Sequence, residues 1–371
     1  MTDFAECNES SSSSIKTFIL IDGIRKEIKD IMAERKEYYF KPPSIFLSWM
    51  ASCIKDDRDF PILCMLFNVA VMTLPAAAIV FACESHLLGF IYWIINTALF
   101  QERFLIGLHY YSHRGLFKNT TLNTIVPLVF SPFFGMPSGM YYLHHVIMHH
   151  SENNLDQWDL SSTEPFQRDK VTHFLFYWLR FAFAVWIELP LYAWKRSRYT
   201  QALSTAFFIF AFWAVMAILY FVNPCGTFWV FLFPLAVNSF LLMLGNWSQH
   251  IFVDPNNPRS NYHLAYNVIN DQCNQRSFND GYHIEHHLNS KRHWSELPSN
   301  FQQNYATYAK EDAIVFENLD PIKVGILVFL EKYNVLSKHL VQFRTPPRSA
   351  AEVEAFLRSR LVPIPRHAKT K

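Results

Sequence analysis

The sequence predicts an all-α integral membrane fold: four transmembrane helices in two hairpins, with interfacial helices and a cytosolic cap holding a metal site. Three observations predict it. Of 371 residues, 51% are hydrophobic and only 17% are charged, against about a quarter in ordinary soluble domains. No Lys or Arg occurs between Asp59 and Glu102, nor between Tyr199 and Pro258. Sixteen histidines occur, and ten of them fall in four short strings at or beyond the ends of the apolar runs.

Each charge-free stretch holds two apolar runs around a polar hinge. The first divides into about 61–82 and 87–108 at Cys83-Glu84-Ser85-His86. The second divides into about 202–222 and 228–247 at Asn223-Pro224-Cys225-Gly226. A helix rising about 1.5 Å per residue needs roughly 20 residues to cross a hydrocarbon core of about 30 Å. Nine Lys/Arg precede the first hairpin, Lys195, Arg196 and Arg198 precede the second, and the hinges carry none. That asymmetry places both termini and the central loop on the cytosolic side. Residues 125–140 contain Pro127, Pro132, Pro137, Gly135 and Gly139, and residues 173–194 contain Arg180, Glu188 and Pro190. Both read as interfacial or protein-covered, since lipid does not satisfy a broken backbone. Were either to cross, the histidine strings would lie on opposite faces, about 30 Å apart.

The flanks divide the chain into an N-terminal cytosolic segment (1–60), a membrane domain (61–300) and a C-terminal cap and tail (301–371). Residues 1–14, acidic with a Ser10 to Ser14 run, lack the basic start and apolar core of a secretory signal and are expected to be disordered. Ile19, Ile24, Ile28 and Ile31 are spaced like one face of a short surface helix. Lys291-Arg292-His293-Trp294 reads as a headgroup-level anchor, and Ser349 as the cap of a short helix reaching Arg360. Six cysteines form no CxxC pair, and a net charge of +2 leaves no electrostatic footprint for nucleic acid.

The histidine strings carry the chemistry. His109 and His113 form HxxxH; His145, His149 and His150 form HxxxHH, with His144 as an alternative to His145; Asn246 and His250 end the last apolar run; His283, His286 and His287 form HxxHH. Residues three and four apart share a helix face, so each string aims two or three imidazoles at one point. Imidazole suits Zn, Cu, Fe and Ni, and nine or ten imidazoles exceed what one ion takes, so two metals are expected. No HExxH string occurs, which excludes a zincin. Glu152, Asp156, Asp159, Asp280 and Glu285, near the strings in sequence, read either as acceptors for the outer N–H of ligand histidines or as solvated loop acids. His86, His173, His263, His293, His339 and His367 read as ordinary.

HxxxH, HxxxHH and HxxHH, distributed over four spans, resemble the three histidine boxes of the membrane fatty acid desaturase/hydroxylase superfamily. The resemblance covers about residues 60–300. Members similar to acyl-CoA desaturases also end the fourth span with a histidine preceded one turn earlier by an asparagine that holds iron through water, as His250 and Asn246 do here. What the resemblance implies is a non-haem di-iron centre using O2 as co-substrate. Its ligands would be His109, His113, His145, His149, His150, His250, His283, His286 and His287, with Asn246 through water. It further implies a fatty acyl lipid or acyl-CoA substrate, a position in the endoplasmic reticulum membrane with the boxes cytosolic, and an external electron donor such as cytochrome b5 or ferredoxin, since no HPGG-type haem motif occurs. The second box departs from the commoner spacing by one extra residue before its paired histidines. Removing hydrogen from an unactivated methylene needs chemistry that a cofactor and not a side chain supplies. The expected activity is therefore an oxygen-dependent desaturase placing a double bond in an acyl chain. A hydroxylase on the same scaffold is the alternative, and a histidine-rich metal transporter or non-catalytic scaffold is the alternative from another class.

Overall fold

The computed structural model describes residues 18–21, 24–32, 38–154 and 158–365. Asp156, His367 and the serine-rich start lie outside them. Five long helices dominate: α1 (Phe60–Cys83), α2 (residues 86–114), α3 (Val171–Lys195), α4 (Tyr199–Val222) and α5 (Pro224–Gln249). Two short pairings complete the fold, an antiparallel hairpin of β1 (Phe18–Ile21) with β2 (Ile24–Glu27), and a parallel pair of β3 (Asn267–Ile269) with β4 (Val315–Glu317).

The two polar hinges meet at one end of the bundle. α1 stops where Glu84 adopts a left-handed conformation (φ 48°), and Ser85 caps α2 by accepting from the Leu88 N–H. Asn223 caps α5 by accepting from the Gly226 N–H, and its amide donates to the Phe81 carbonyl at 2.7 Å. Trp229 donates to His86 Nδ1 across the hinges at 3.0 Å. Gly226 is required there, since a Cβ would meet the Phe81 ring at 2.7 Å. The histidine strings lie at the opposite ends of α2 and α5.

Four helices are long and apolar enough to cross a membrane: Asp57–Cys83, Val171–Lys195, Tyr199–Val222 and Pro224–Gln249. The number agrees with the sequence reading, but the membership does not. Residues 86–114 fall short because Asn96, Gln101, Glu102 and Arg103 lower their hydropathy. The two amides face the bundle interior, where hydropathy does not register their partners. Thr73 donates to Asn96 Oδ1 at 2.7 Å, Gln101 donates to the Phe134 carbonyl, and Asn238 donates to Gln101 Oε1 at 2.7 Å. Val171–Lys195, read as interfacial, meets the criterion. Yet its Tyr177 donates to the Ser161 carbonyl and its Tyr192 to Glu152 Oε1, so both halves of α3 reach the histidine side. Phe176, Phe183 and Ile187 make an exposed apolar stripe along it.

Two further expectations are corrected. Residues 18–27 form a β-hairpin and not a surface helix. Four consecutive apolar residues, Phe18–Ile21, followed by Asp22-Gly23, are a hairpin signal that the isoleucine spacing masked. Trp294, read as an anchor, is buried 3% exposed, and it and His293 both donate to Asp59 Oδ1 at 3.0 Å. Ser349 does cap a helix, Ala350–Ser359, through a reciprocal box with Glu352.

The C-terminal segment is stapled to the histidine side by Arg168, which is fully buried. Its guanidinium donates to the carbonyls of Thr163, Glu164, Phe166, Ile251, Arg360 and Val362. Arg168→Met removes all six bonds and leaves the Phe166, Ile251 and Val362 carbonyls without a donor among the described residues, whereas those of Thr163, Glu164 and Arg360 keep a backbone N–H. The expected cost is about 3 kcal/mol or more, read as a lower melting temperature together with protease cleavage within residues 350–365. A melting temperature unchanged within a degree or so would refute the staple.

Candidate metal centre

All nine predicted ligand histidines come together. His109 and His113 project from the last turns of α2, and Gly107 leaves room beneath them for Met65. His145 and His149 stand on a π-helical segment, Tyr142–His149, and His150 follows directly as its cap, its N–H bonding the His145 carbonyl five residues back. This accounts for the unusual second box. A π turn takes one residue more than an α turn, so HxxxHH presents its paired histidines on the face that HxxHH would on an α-helix. His283, His286 and His287 occupy a short helix, His283–Leu288, whose Ile284 N–H is held by Asn267 Oδ1 on β3.

The imidazoles sort into two groups. His109, His113, His145, His150 and His286 each offer one ring nitrogen, all within 4.8 Å of one another; His149, His250 and His287 do the same. His283 joins the second group through His250, Nε2 to Nε2 at 3.1 Å. In the first group His286 Nε2 lies 2.7 Å from both His109 Nε2 and His150 Nε2, and His150 lies 3.1 Å from His145. His144 belongs to neither group. It packs its ring against Phe181 and leaves Nε2 without a hydrogen bond.

Burial, reinforced by repulsion among neighbouring rings, holds the imidazoles of His145, His150, His283, His286 and His287 well below their ordinary pKa. They are neutral at pH 7, the form that ligates metal. A neutral imidazole has one donor and one acceptor nitrogen, so nitrogens converging on nitrogens leave acceptors unsatisfied. His113 Nε2 and both nitrogens of His287 have no hydrogen-bond partner among the described residues. Buried, neutral and unpaired, this donor set fits a pair of transition-metal ions.

Of the carboxylates predicted to orient the rings, two are in place. Asp159 Oδ2 lies 2.7 Å from His149 Nδ1, and Asp280 Oδ1 lies 3.4 Å from His109 Nδ1. Burial alone would raise Asp159, yet the His149 ring and the Ser161 hydroxyl hold its carboxyl well below the usual range. His250 is oriented instead by the Leu264 carbonyl at 2.9 Å. Glu152 pairs with Arg196 and Tyr192, and Glu285 with Arg292, Asn300 and Tyr308, so both anchor the scaffold and not the rings. The Asn246 amide nitrogen donates to the Tyr177 hydroxyl and the Ser161 carbonyl, which fixes its orientation beside the second group. Of the histidines read as ordinary, His263 bonds Asp254 and the Glu311 carbonyl, and His339 bonds the Glu317 carbonyl.

Two cavities open beside the histidines, of about 440 and 550 Å³. The first runs between α2 and α5 and is walled by His109, His145, His149 and His283; the second is apolar, with Met140, Trp178, Phe181, Trp186 and Trp213 in its wall. Tyr141, His144 and Leu242 line both. Sequence reasoning assigned no cavity residue, because residues distant in the chain make its wall without any recurrent spacing.

A model of the fatty acid desaturase family matches residues 85–318, which include every one of these histidines. No curated protein and no solved structure matches the chain. With 234 of 371 residues matched and all three boxes inside the match, the chain belongs to the fatty acid desaturase family, a family of membrane oxidoreductases.

Proposed function

We propose that this protein is an oxygen-dependent desaturase that introduces a double bond into a long acyl chain at a histidine-held di-iron centre. The observation that carries the proposal is the convergence of nine imidazoles, in two adjacent groups, on the wall of a cavity that adjoins a second, apolar one. His109, His113, His145, His150 and His286 would hold one iron. His149, His250, His283 and His287 would hold the other, with Asn246 acting through water. When bound, the irons would supply the O2-dependent hydrogen abstraction for which no side chain suffices.

The chain's own residues do the rest. Asp159 and Asp280 hold ring tautomers. The apolar cavity takes the tail of the substrate and keeps water from it, and Tyr141 and His144 stand where the two cavities meet. Electrons would come from an external donor such as cytochrome b5 or ferredoxin. α1, the first part of α2, α4 and α5 would cross the bilayer, with termini and histidines in the cytosol and the endoplasmic reticulum as the membrane. α3 would lie along the interface, its exposed apolar stripe in lipid. A transporter would need ligands spaced along the bundle axis, whereas these imidazoles gather at one end.

Purified protein is expected to contain about two irons per chain. His286→Ala should remove at least one of them, while His144→Ala keeps both. Asp159→Asn should weaken iron binding roughly 10- to 100-fold, the usual cost of losing a carboxylate behind a ligand histidine; metal analysis after graded chelation reads this. Iron content unaffected by His286→Ala would sink the ligand assignment.

Expression in a host followed by mass spectrometry of its lipids tests the reaction. The expected product has lost two hydrogens. A product that has gained one oxygen would establish the hydroxylase instead.

A further inference from the structure

The apolar cavity of about 550 Å³ meets the metal-side cavity at Tyr141, His144 and Leu242. At that end its wall includes Met140 and Phe181, both buried. The rest of the lining passes to side chains on the outer surface: Leu179 and Trp213, Phe183 at 75% exposed, and the exposed Ala236. Among the described residues nothing closes this second end, and no charged side chain lines the cavity. The opening lies deep in the bilayer. Trp213 stands nine residues before the end of α4 at Val222, and Ala236 twelve residues after the start of α5 at Pro224. At about 1.5 Å per residue both are roughly 14–18 Å from the hinge end, the middle of a hydrocarbon core about 30 Å thick. α3 bridges the two helices over this gap. Its Trp178 donates to Ser239 Oγ on α5 at 3.2 Å, and its Trp186 ring packs on Trp213 of α4 with centroids 5.2 Å apart. Between these struts the lining includes Ala182 on α3 and Ala236 on α5, whose side chains are single methyls.

We infer that this cavity is open-ended: the methyl end of the substrate's chain passes out beside Phe183 and Ala236 into the lipid, and the new double bond is counted from the polar end. This rests on the desaturase reading of the histidine centre and adds how that centre selects its bond. A closed cavity stops the last methyl against an end wall, which fixes both the greatest chain length and the bond that reaches the metals. Here the chain meets no such stop. Methylenes beyond Ala236 move from an apolar wall into apolar lipid, so no apolar surface is returned to water and no hydrophobic cost arises. The polar end is the stop that remains, since drawing it into an uncharged, apolar cavity would leave it without partners. Chains of different length then share one register at the histidines, and each added methylene lengthens only the part in the bilayer.

Cells expressing the full-length protein are fed myristic, palmitic, stearic and lignoceric acids, and the modified carbons in each product are located by mass spectrometry. The expected bond lies the same number of carbons from the carboxyl group in all four. In Ala182→Phe/Ala236→Phe, which sets two rings in the passage, the ratio of lignoceric to myristic conversion should fall about tenfold or more. A position counted from the methyl end, or a sharp length limit in the unsubstituted protein, overturns the inference. Binding tests it without turnover. Palmitic acid carrying pyrene on its last carbon is titrated into the purified protein, following energy transfer from tryptophan, with plain palmitic acid as competitor. An open end places the pyrene outside, so the two should bind within about threefold of each other, whereas weakening of about tenfold or more overturns the inference. The two readings fail separately. Tight binding of the pyrene-bearing chain with no modified lipid defeats the desaturase reading alone, and a desaturated product counted from the methyl end defeats this inference alone.

Discussion

The structure depends on one electrostatic constraint: a set of neutral imidazoles, taken out of water, must point lone pairs at one another. Nitrogen-to-nitrogen separations of 2.7 Å between His286 and both His109 and His150 are tolerable only with a positive centre among them or a hydrogen between each pair. One His286 nitrogen can neither supply both hydrogens nor accept two on its single lone pair. The protein therefore spends packing and hydrogen bonds to hold an arrangement that is unfavourable by itself. Asp159, Asp280 and the Leu264 carbonyl aim rings from behind. Glu285, wholly buried between His283 and His286, is satisfied by Arg292, Asn300 and Tyr308, so the third box rests on a compensated charge. Burial raises its carboxyl and those partners oppose the shift.

Distant parts of the chain converge on the same task. Asp30 Oδ2 accepts from the Asn270 N–H, the Asn274 amide and the Tyr282 hydroxyl, which ties the N-terminal segment to the loop entering the third box. Arg168 ties the C-terminal segment to the loop leaving the second, and Thr163 in that loop donates to the His250 carbonyl. Asp59, at the start of α1, receives His293 and Trp294 just after the third box. Buried polar networks of this kind are costly when half-satisfied and rigid when complete. A donor set that resists its own geometry needs rigid walls, and these networks surround it on the side away from the hinges.

Much of this was legible in the sequence because metal ligation imposes spacing. HxxxH and HxxHH are helix-face patterns, and the four strings named all nine imidazoles that converge. The extra residue in the second box looked like a departure and is absorbed by a π turn, which alters hydrogen bonding without altering composition. Span membership was read less well. Asn96 and Gln101 are polar to any hydropathy sum, yet they are neutralised by Thr73, Phe134 and Asn238 from other elements, and such pairing is invisible to a window of residues. Trp294 failed as an anchor for a related reason: its partner, Asp59, lies 235 residues away in the chain. The cavities, made by single residues from many segments, had no local signature at all.

The placement of polarity along α2 joins these threads. From Ser85 the helix runs apolar on its outer face as far as Asn96, then carries Gln101 inward, Glu102 into the cavity mouth, and His109 and His113 to the centre. An α-helix brings residues seven apart back to nearly the same face, so Glu102 and His109 line one wall at a fixed separation. A π turn at Thr97–Gln101 precedes that register, shifting everything beyond it by one residue relative to the membrane-facing part. One helix can thus be lipid-soluble at its start and polar on a single line at its end. The distance between Glu102 and His109 is then set by the rise of a rigid helix and not by a loop, so the wall they share keeps its geometry whatever the loops do.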